Sequence, residues 1–167
     1  MSVLVTSGAT VPFEKLIRST LSDGVLHQLA KQGYRQITVQ YGSGKAIFDE
    51  SVSSCHDPKL SIDGFDFTTD MAREIAKYDL VISHAGTGSI LDALRANKKL
   101  IAVINTSLMD NHQAEIAHEF ESQGYLVSTD TESISAALQR LDSTTLKQLP
   151  PADSLKLAAI INEEAGL

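Results

Sequence analysis

The sequence has 167 residues, of which 43% are hydrophobic and 21% are charged, and its formal net charge is −7 at pH 7. Such a length and composition are typical of one globular domain with a full hydrophobic core. The acidic balance argues against binding to nucleic acid and against electrostatic docking on anionic lipid, because both need a basic face. The single cysteine, Cys55, excludes an internal disulfide and is compatible with a reducing compartment.

We expect neither a targeting segment nor a membrane-spanning one. No apolar run approaches the roughly 20 residues that a membrane helix needs. The N-terminus, MSVLVTSGAT, enters a strand pattern directly, without a basic region or a cleavage-site pattern, so no signal peptide is expected. The sequence therefore predicts a cytoplasmic protein without direct membrane insertion.

Strand and helix patterns alternate along almost the whole chain. Short apolar, β-branched runs predict strands at 2–6, 35–40, 60–65, 80–82, 100–104 and 125–128. Helical periodicity predicts helices at 13–22, 25–31, 71–77, 90–96, 112–123, 131–141 and 153–164, with only a weak period at 45–56. This alternation predicts an α/β fold in a single domain, with a doubly wound, Rossmann-like and mainly parallel sheet.

Two turns of small residues, Ser7-Gly8-Ala9-Thr10 and His84-Ala85-Gly86-Thr87-Gly88-Ser89, each follow a strand and precede a helix. The carboxyl ends of parallel strands meet at one sheet edge, where free N–H groups and the positive end of a helix dipole attract anions. Two such turns could hold a diphosphate between them; alternatively, the glycines only permit tight turns. Neither turn matches the P-loop or the GxGxxG pattern, so neither ATP hydrolysis nor NAD binding has motif support.

Polar residues near these turns are candidates for binding a sugar or a nucleoside. Asp92 lies near the first turns of a helix and could accept hydrogen bonds from ribose hydroxyls, or it could simply interact with the helix dipole. Asp110, Asn111, His112 and Gln113 follow the fifth strand and offer donors and acceptors suited to sugar hydroxyls. A helix cap is the alternative, but it accounts only for Asp110 or Asn111.

His84, at the end of a strand, is a candidate catalytic base, although such a histidine often only shapes the turn. The other histidines have no carboxylate or cysteine partner at metal-ligand spacing. We therefore predict no metal site and assign no nucleophile.

Several of these motifs also carry a resemblance to a known family. DLVISHAGTGSILDAL and, after the next strand, SLMDNHQAEIA resemble the nucleotide-sugar-binding half of the family 28 glycosyltransferases, which are GT-B enzymes. VTSGATVPFEKLI, GFDF, VISHAGTGSILD and SLMDNHQ are similar to the small fungal members that act on dolichol-linked N-acetylglucosamine. The resemblance covers nearly the whole chain and implies the donor-binding half of a GT-B fold.

The resemblance implies an activity as well as a fold. The donor would be UDP-N-acetylglucosamine (UDP-GlcNAc), and the acceptor would be dolichyl-diphosphate-GlcNAc. Transfer of GlcNAc between them is the second step of lipid-linked oligosaccharide synthesis for N-glycosylation. This inverting mechanism uses no metal and no other cofactor. Backbone amides and a helix dipole stabilise the departing UDP, and a base deprotonates the acceptor hydroxyl.

The resemblance also assigns residues. Asp92 stands where bacterial relatives have a ribose-binding glutamate. His112 and Gln113 occupy the positions that contact the sugar, with His112 departing from a glutamine. The residues implied to face the diphosphate or the sugar within the two turns are Ser7, Gly8, Thr10, Gly86, Thr87, Gly88 and Ser89.

The chain departs from complete GT-B enzymes, which have two α/β domains with the active site between them. In those relatives the acceptor-side domain and its base lie in the half that is not found here. The resemblance implies that a separate membrane-anchored, acceptor-binding subunit forms a heterodimer with this chain at the cytosolic face of the endoplasmic reticulum. We therefore expect the isolated chain to be inactive. The helix predicted at 153–164 would dock on this partner or pack on its own sheet.

Two alternatives remain at this stage. One is a nucleotide-sugar-binding module without catalysis. The other is a different α/β nucleotide enzyme, such as an epimerase of UDP-GlcNAc, which would require a second domain in the same chain.

Overall fold

The computed structural model describes residues 1–8, 13–56, 59–107 and 112–150. Three of the predicted site residues, Thr10, Asp110 and Asn111, and the helix predicted at 153–164 lie outside these ranges. Within the ranges, no helix combines the length and the apolar character needed to cross a membrane.

The strands form one parallel sheet. They are β1 (Ser2–Thr6), β2 (Gln36–Gln40), β3 (Ser61–Phe65), β4 (Leu80–His84), β5 (Lys99–Val103) and β6 (Val127–Thr129). Their order across the six-stranded sheet is β3-β2-β1-β4-β5-β6, and every neighbouring pair is parallel. The strand order reverses between β1 and β4, as in a doubly wound fold, so the predicted fold class is confirmed.

The helices connect these strands. They are α1 (Glu14–Thr20), α2 (Asp23–Lys31), α3 (Lys45–Ser53), α4 (Met71–Ile75), α5 (Thr87–Arg95), α6 (His112–Ser122) and α7 (Ile134–Ser143). The weak pattern at 45–56 does form a helix, α3. Asp70 caps α4, because its carboxylate accepts a hydrogen bond of 2.9 Å from the N–H of Arg73.

Two boundaries differ from the sequence prediction in an informative way. Helix α5 begins at Thr87 rather than at Ile90, since its first turn consists of small residues that carry no helical periodicity. Strand β6 begins at Val127 rather than at Tyr125. The N–H of Tyr125 bonds to the carbonyl of Phe120 at 3.0 Å, so Tyr125 still belongs to the end of α6.

The sheet is covered on both faces, which explains the continuous apolar runs of its strands. In β1, Val3 and Val5 face one core cluster, which includes buried residues of α1, α2 and α7. Leu4 points to the opposite face, into a cluster that includes buried residues of α4, α5 and α6. The central strands are therefore fixed on both sides, and their carboxyl ends form a rigid edge.

Candidate functional site

The carboxyl ends of β1 and β4 lie side by side, because Thr6 is paired in register with Ser83. The hydroxyl of Thr6 donates to Oγ of Ser83 at 2.9 Å, and Ser83 Oγ donates to the carbonyl of His84 at 2.9 Å. Thr6 and Ser83 are buried. These bonds hold the two turns that come after the strands next to each other, at the point where doubly wound folds bind their ligands.

The imidazole of His84 lies between these two turns. A Cβ placed on Gly8, which has φ of +88°, would lie 3.3 Å from Nε2 of His84. A Cβ on Gly86 would lie only 2.4 Å from the same nitrogen, which is closer than real side chains approach. The structure therefore brings Gly8, His84 and Gly86 together, as the two-turn hypothesis requires, and it places the histidine at the junction.

The environment of His84 favours the neutral imidazole. Its Nδ1 is buried and has no hydrogen-bond partner among the described residues. Burial lowers the pKa of His84 below its ordinary value of 6.5. The nearby backbone of Thr6 favours the charged ring, but it is not in normal hydrogen-bond geometry and offsets only part of the shift. Near pH 7 the ring is uncharged, so it can exchange hydrogen bonds with a ligand but cannot neutralise an anion by charge.

The turn after β4 ends in a helix start that is open to an anion. Gly86 is the N-cap of α5, and the N–H of Ile90 makes the first intrahelical bond, 3.0 Å long, to the carbonyl of Gly86. The amides of Thr87, Gly88 and Ser89 therefore have no acceptor within the helix. Thr87 and Gly88 are exposed, and a Cβ on Gly88 would meet only open space. Free amides and the positive helix end together form a site suited to phosphate.

Polar side chains on α5 and α6 are also free to bind. The side chains of Thr87, Ser89, Asp92 and Gln113 form no hydrogen bond or ion pair with another described residue. Asp92 is half-buried and lies on the same helix as Ser89, three residues further on, so the two share one face. The predicted ribose-binding carboxylate and the predicted diphosphate-binding turn are thus adjacent.

Ser7 has a different environment. It is buried, and its hydroxyl donates to the carbonyl of Gln40 at 2.9 Å. Its N–H also points to this carbonyl, at 3.3 Å. The hydroxyl of Ser7 therefore joins the ends of β1 and β2, and the neighbouring Gly8 borders the imidazole at the junction.

His112 and Gln113 begin α6, which comes after β5, so the fold places them on the same sheet edge as the start of α5. His112 is exposed, and its Nδ1 lies 3.4 Å from a carboxylate oxygen of Glu115. Gln113 is half-buried. The loop after β5 begins with a local turn, in which the side-chain oxygen of Asn105 accepts bonds from the N–H and hydroxyl of Ser107 at 3.1 and 2.6 Å.

Two residues at this edge were missed by the sequence prediction. Gly42, after β2, has φ of +57°, and a Cβ on it would lie 3.4 Å from the carbonyl oxygen of Gly8 and 3.8 Å from the ring of Phe67. Phe67, after β3, is 54% exposed, which is unusual for a large apolar side chain. The sequence did contain signals for both residues. Gly42 belongs to a Gly-Ser-Gly sequence that follows a strand, and Phe67 stands among polar residues.

The remaining polar and concave features lie elsewhere. A cavity of about 520 Å³ is lined by Asp23, Gly24, His27 and His56, and another of about 280 Å³ lies around Tyr125, so neither includes a predicted site residue. Among the described residues, no group of three or more histidine, cysteine or carboxylate side chains could hold a metal ion. The candidate site therefore lies at the sheet edge, and its described polar groups are backbone amides, hydroxyls, two imidazoles, one side-chain amide and one carboxylate.

Comparison with known proteins places the chain in a family. The family model described as the glycosyltransferase family 28 C-terminal domain matches residues 2–163. The UDP-N-acetylglucosamine transferase subunit ALG13 of Yarrowia lipolytica is 45% identical over 167 residues, covering 98% of this chain and 84% of the relative. The corresponding subunit of Saccharomyces cerevisiae is 41% identical over 179 residues, covering 89% of this chain and 88% of the relative.

Solved structures agree with this comparison. The NMR solution structure of ALG13 superposes with a TM-score of 0.76 at 36% identity, covering 95% of this chain and 94% of that one. The crystal structure of MurG from Acinetobacter baumannii superposes with a TM-score of 0.61 at 20% identity, covering 85% of this chain and 40% of that one, and shows the shared fold. The chain belongs to the glycosyltransferase family 28 C-terminal domain family, together with the fungal UDP-N-acetylglucosamine transferase subunits.

Proposed function

We propose that this chain is the donor-binding, catalytic subunit of an enzyme that transfers GlcNAc from UDP-GlcNAc to dolichyl-diphosphate-GlcNAc. The observation that carries the proposal is the start of α5, where three backbone amides without intrahelical acceptors lie beside the junction of β1 and β4. The names of the fungal relatives, which are UDP-N-acetylglucosamine transferase subunits, support the same donor.

The diphosphate of the donor would lie at the start of α5. The amides of Thr87, Gly88 and Ser89 point to it along the helix axis, and the two free hydroxyls add further donors. As the bond to the sugar breaks, negative charge grows on the departing UDP, and these preorganised donors stabilise it. Gly88 lets the phosphates approach closely, because no side chain occupies the open space beside it.

The nucleoside and the sugar would extend to either side of the diphosphate. The free carboxylate of Asp92 would accept hydrogen bonds from the ribose hydroxyls. His112 and Gln113, at the start of α6, would contact the GlcNAc hydroxyls, and the sequence adds Asn111 and Thr10 to the binding residues. The side chains of Ser7 and His84 would shape the crevice beside Gly8.

His84 is also the candidate base of this chain. Its lowered pKa keeps it in the unprotonated form that a general base needs at neutral pH. Its ring is packed between Gly8 and Gly86, however, and this position suits contact with the diphosphate better than contact with an acceptor hydroxyl. We therefore assign His84 to positioning and leave the base to the partner.

The acceptor site would be supplied by that partner, a membrane-anchored subunit that forms a heterodimer with this chain at the cytosolic face of the endoplasmic reticulum. None of the proposed residues of the candidate site is a lysine or arginine, and this supports the division. A diphosphate brings more negative charge than one helix end can balance. The partner surface would close the site and complete its electrostatics, and the segment 153–164 is the proposed docking element.

Calorimetric titration of the full chain with UDP and with UDP-GlcNAc tests the proposal. We expect Asp92→Ala to weaken the binding of both ligands by about tenfold, since a hydrogen-bonded carboxylate is lost. The matched control is Asp142→Ala, an exposed aspartate near the end of α7.

Equal affinities of Asp92→Ala and the wild type would contradict the ribose-binding role. Failure of the wild type to bind either ligand, both alone and with the membrane subunit, would contradict a donor site in this chain. GlcNAc transfer to the lipid acceptor by the isolated chain would contradict the need for a partner.

A further inference from the structure

Helix α6 is attached to the sheet by less apolar packing than its neighbour in sequence, α7. Only Ala117 of α6 is fully buried, whereas α7 buries Ile134, Ala137, Leu138 and Leu141. Apolar burial is the main source of helix stability in a folded protein. The orientation of α6 therefore depends more strongly on its polar contacts.

The strongest of these contacts form a cluster of Glu121, Ser128 and Arg140, which we call the α6 clamp. Glu121, near the end of α6, accepts hydrogen bonds from the N–H of Ser128 at 2.9 Å and from its hydroxyl. It also accepts one from Nη1 of Arg140 on α7 at 3.1 Å. Nη2 of Arg140 donates to the carbonyl of Ser128 at 2.5 Å. The clamp thus joins α6, β6 and α7.

The clamp satisfies groups that would otherwise be unpaired. Strand β6 is at the edge of the sheet, so the outward N–H and carbonyl of Ser128 have no neighbouring strand. Ser128 is only 4% exposed, and the Glu121 and Arg140 side chains take the place of that strand. Loss of either partner would leave a buried polar group without a hydrogen bond, which is costly.

Glu121 is ionised in this cluster. Burial alone would raise its pKa, but the hydrogen bonds from Ser128 and the charge of Arg140 outweigh burial and hold the pKa below its ordinary value. Charge-assisted hydrogen bonds of this kind are stronger and more directional than neutral ones.

We infer that Glu121 and Arg140 are positioning residues for the donor sugar. This inference rests on the proposed function, which places GlcNAc against His112 and Gln113. These residues begin the helix whose other end is held by the clamp, about 13 Å away at 1.5 Å per residue. Ala117 is buried at the middle of α6, with Ile116 and Phe120 half-buried beside it, and a tilt of the helix about this region would move its first turn relative to the start of α5. The clamp thereby sets the distance between the sugar-binding and the diphosphate-binding ends of the site.

The test measures the affinities of the wild type and of each variant for two ligands, UDP and UDP-GlcNAc. In the full chain, Glu121→Gln and Arg140→Gln should change UDP affinity by less than about twofold, because α5 holds UDP. The same variants should weaken UDP-GlcNAc binding by about tenfold. Arg140→Lys should fall between, since it retains the charge but not the paired donors.

The matched control lies on the same helix. Glu119 is exposed, and within the described part of the chain its carboxylate accepts a hydrogen bond only from Gln123, at 2.6 Å. Glu119→Gln should therefore bind both ligands as the wild type does. Amide hydrogen exchange adds a measurement that needs no ligand. Exchange across α6 should be about tenfold faster in Glu121→Gln, while α5 keeps its protection.

The outcomes separate the two proposals. If the wild type binds UDP but gains nothing from the sugar, the proposed sugar contacts of α6 are wrong, whatever the clamp does to hydrogen exchange. Suppose instead that the wild type binds UDP-GlcNAc more tightly than UDP. The positioning role is then wrong if Glu121→Gln keeps this difference in affinity, or if it weakens the binding of UDP and UDP-GlcNAc equally. Unchanged exchange across α6 in both Glu121→Gln and Arg140→Gln would also overturn it.

Discussion

The two turns at the junction of β1 and β4 have similar compositions but use their polar groups differently. In the first, the hydroxyl of Ser7 is buried and bonded to the carbonyl of Gln40. In the second, the hydroxyls of Thr87 and Ser89 have no described partner, and the amides beside them are also free. Small polar residues can thus serve the fold in one turn and a ligand in the other.

The difference arises from the backbone contacts made at the end of each strand. The second turn leads directly into α5, so its amides become the unpaired start of a helix. The Ser7 N–H instead reaches sideways to the end of β2. His84 connects the two regions, because its ring contacts the glycine of each. The hydroxyl of Ser7 therefore braces the ends of β1 and β2, whereas the amides at the start of α5 have no acceptor within the helix.

The largest expected effect comes from Gly86→Ala. The new Cβ would lie 2.4 Å from Nε2 of His84 and would force the ring or the turn to move. We expect a loss of about 1–3 kcal/mol in the free energy of unfolding, measured in urea, and at least about tenfold weaker UDP binding. Wild-type stability in this variant would show that the imidazole is not held between the turns.

Gly88→Ala is the matched control on the same turn. Its Cβ enters open space, and alanine has a higher helix propensity than glycine. The free energy of unfolding should therefore be unchanged or higher by up to about 1 kcal/mol. UDP binding should still weaken, because the methyl group occupies the approach to the amides. Unchanged UDP binding would mean that the phosphates lie elsewhere.

A smaller, crossed effect is expected for the two serines. Ser7→Ala should lower the free energy of unfolding by about 1 kcal/mol, since it removes a buried hydrogen bond, and should change UDP affinity little. Ser89→Ala should weaken UDP binding several-fold and leave the urea midpoint unchanged. Measuring the free energy of unfolding and the UDP affinity of both variants tests whether Ser7 serves the fold and Ser89 the ligand. Weaker UDP binding in Ser7→Ala together with lower stability in Ser89→Ala would assign the ligand to the first turn.

The smallest effect concerns pH and the residue that joins the turns. The pKa of His84 is lower in the folded protein than in the unfolded chain, so as the pH falls the unfolded chain binds a proton at this residue before the folded protein does. The stability contributed by this neutral histidine is present above its ordinary pKa of 6.5 and is lost as the pH falls below that value. Between pH 7.5 and 5.5, the free energy of unfolding should therefore fall less in His84→Gln than in the wild type.

His27→Gln, which alters an exposed histidine of α2, controls for the replacement of a histidine by glutamine as such. Equal slopes in the wild type and His84→Gln would contradict the buried, neutral state of the imidazole.

Much of the fold could be predicted from local patterns in the sequence. The apolar runs of β1 and β4 and the alternation with helices sufficed for the parallel sheet, because burial on both faces leaves a recognisable signal. Local patterns predicted the bounds of an element less well where tertiary contacts determine where it begins or ends. Tyr125 has the composition of a strand residue, yet its backbone and ring bind to Phe120 at the end of α6.

The site shows the same limit. A helix after the second small-residue turn could be predicted because a strand, small residues and a helical pattern succeed one another within one stretch, although its beginning at Thr87 could not. The packing of His84 against Gly8 could not, since it depends on how β1 and β4 meet across the sheet. The engagement of Ser7 with Gln40 depends likewise on the pairing of β1 with β2.

The central place of β1 has a consequence for synthesis of the chain. Thr6 and its partner Ser83 are 77 residues apart, so at typical translation rates β4 emerges roughly 4 to 15 s after β1. During that interval one side of this buried strand has no neighbour, and pairing across such a distance is intrinsically slow. The same arrangement that joins the two distant turns therefore leaves one edge of β1 unpaired in the nascent chain until β4 has been made.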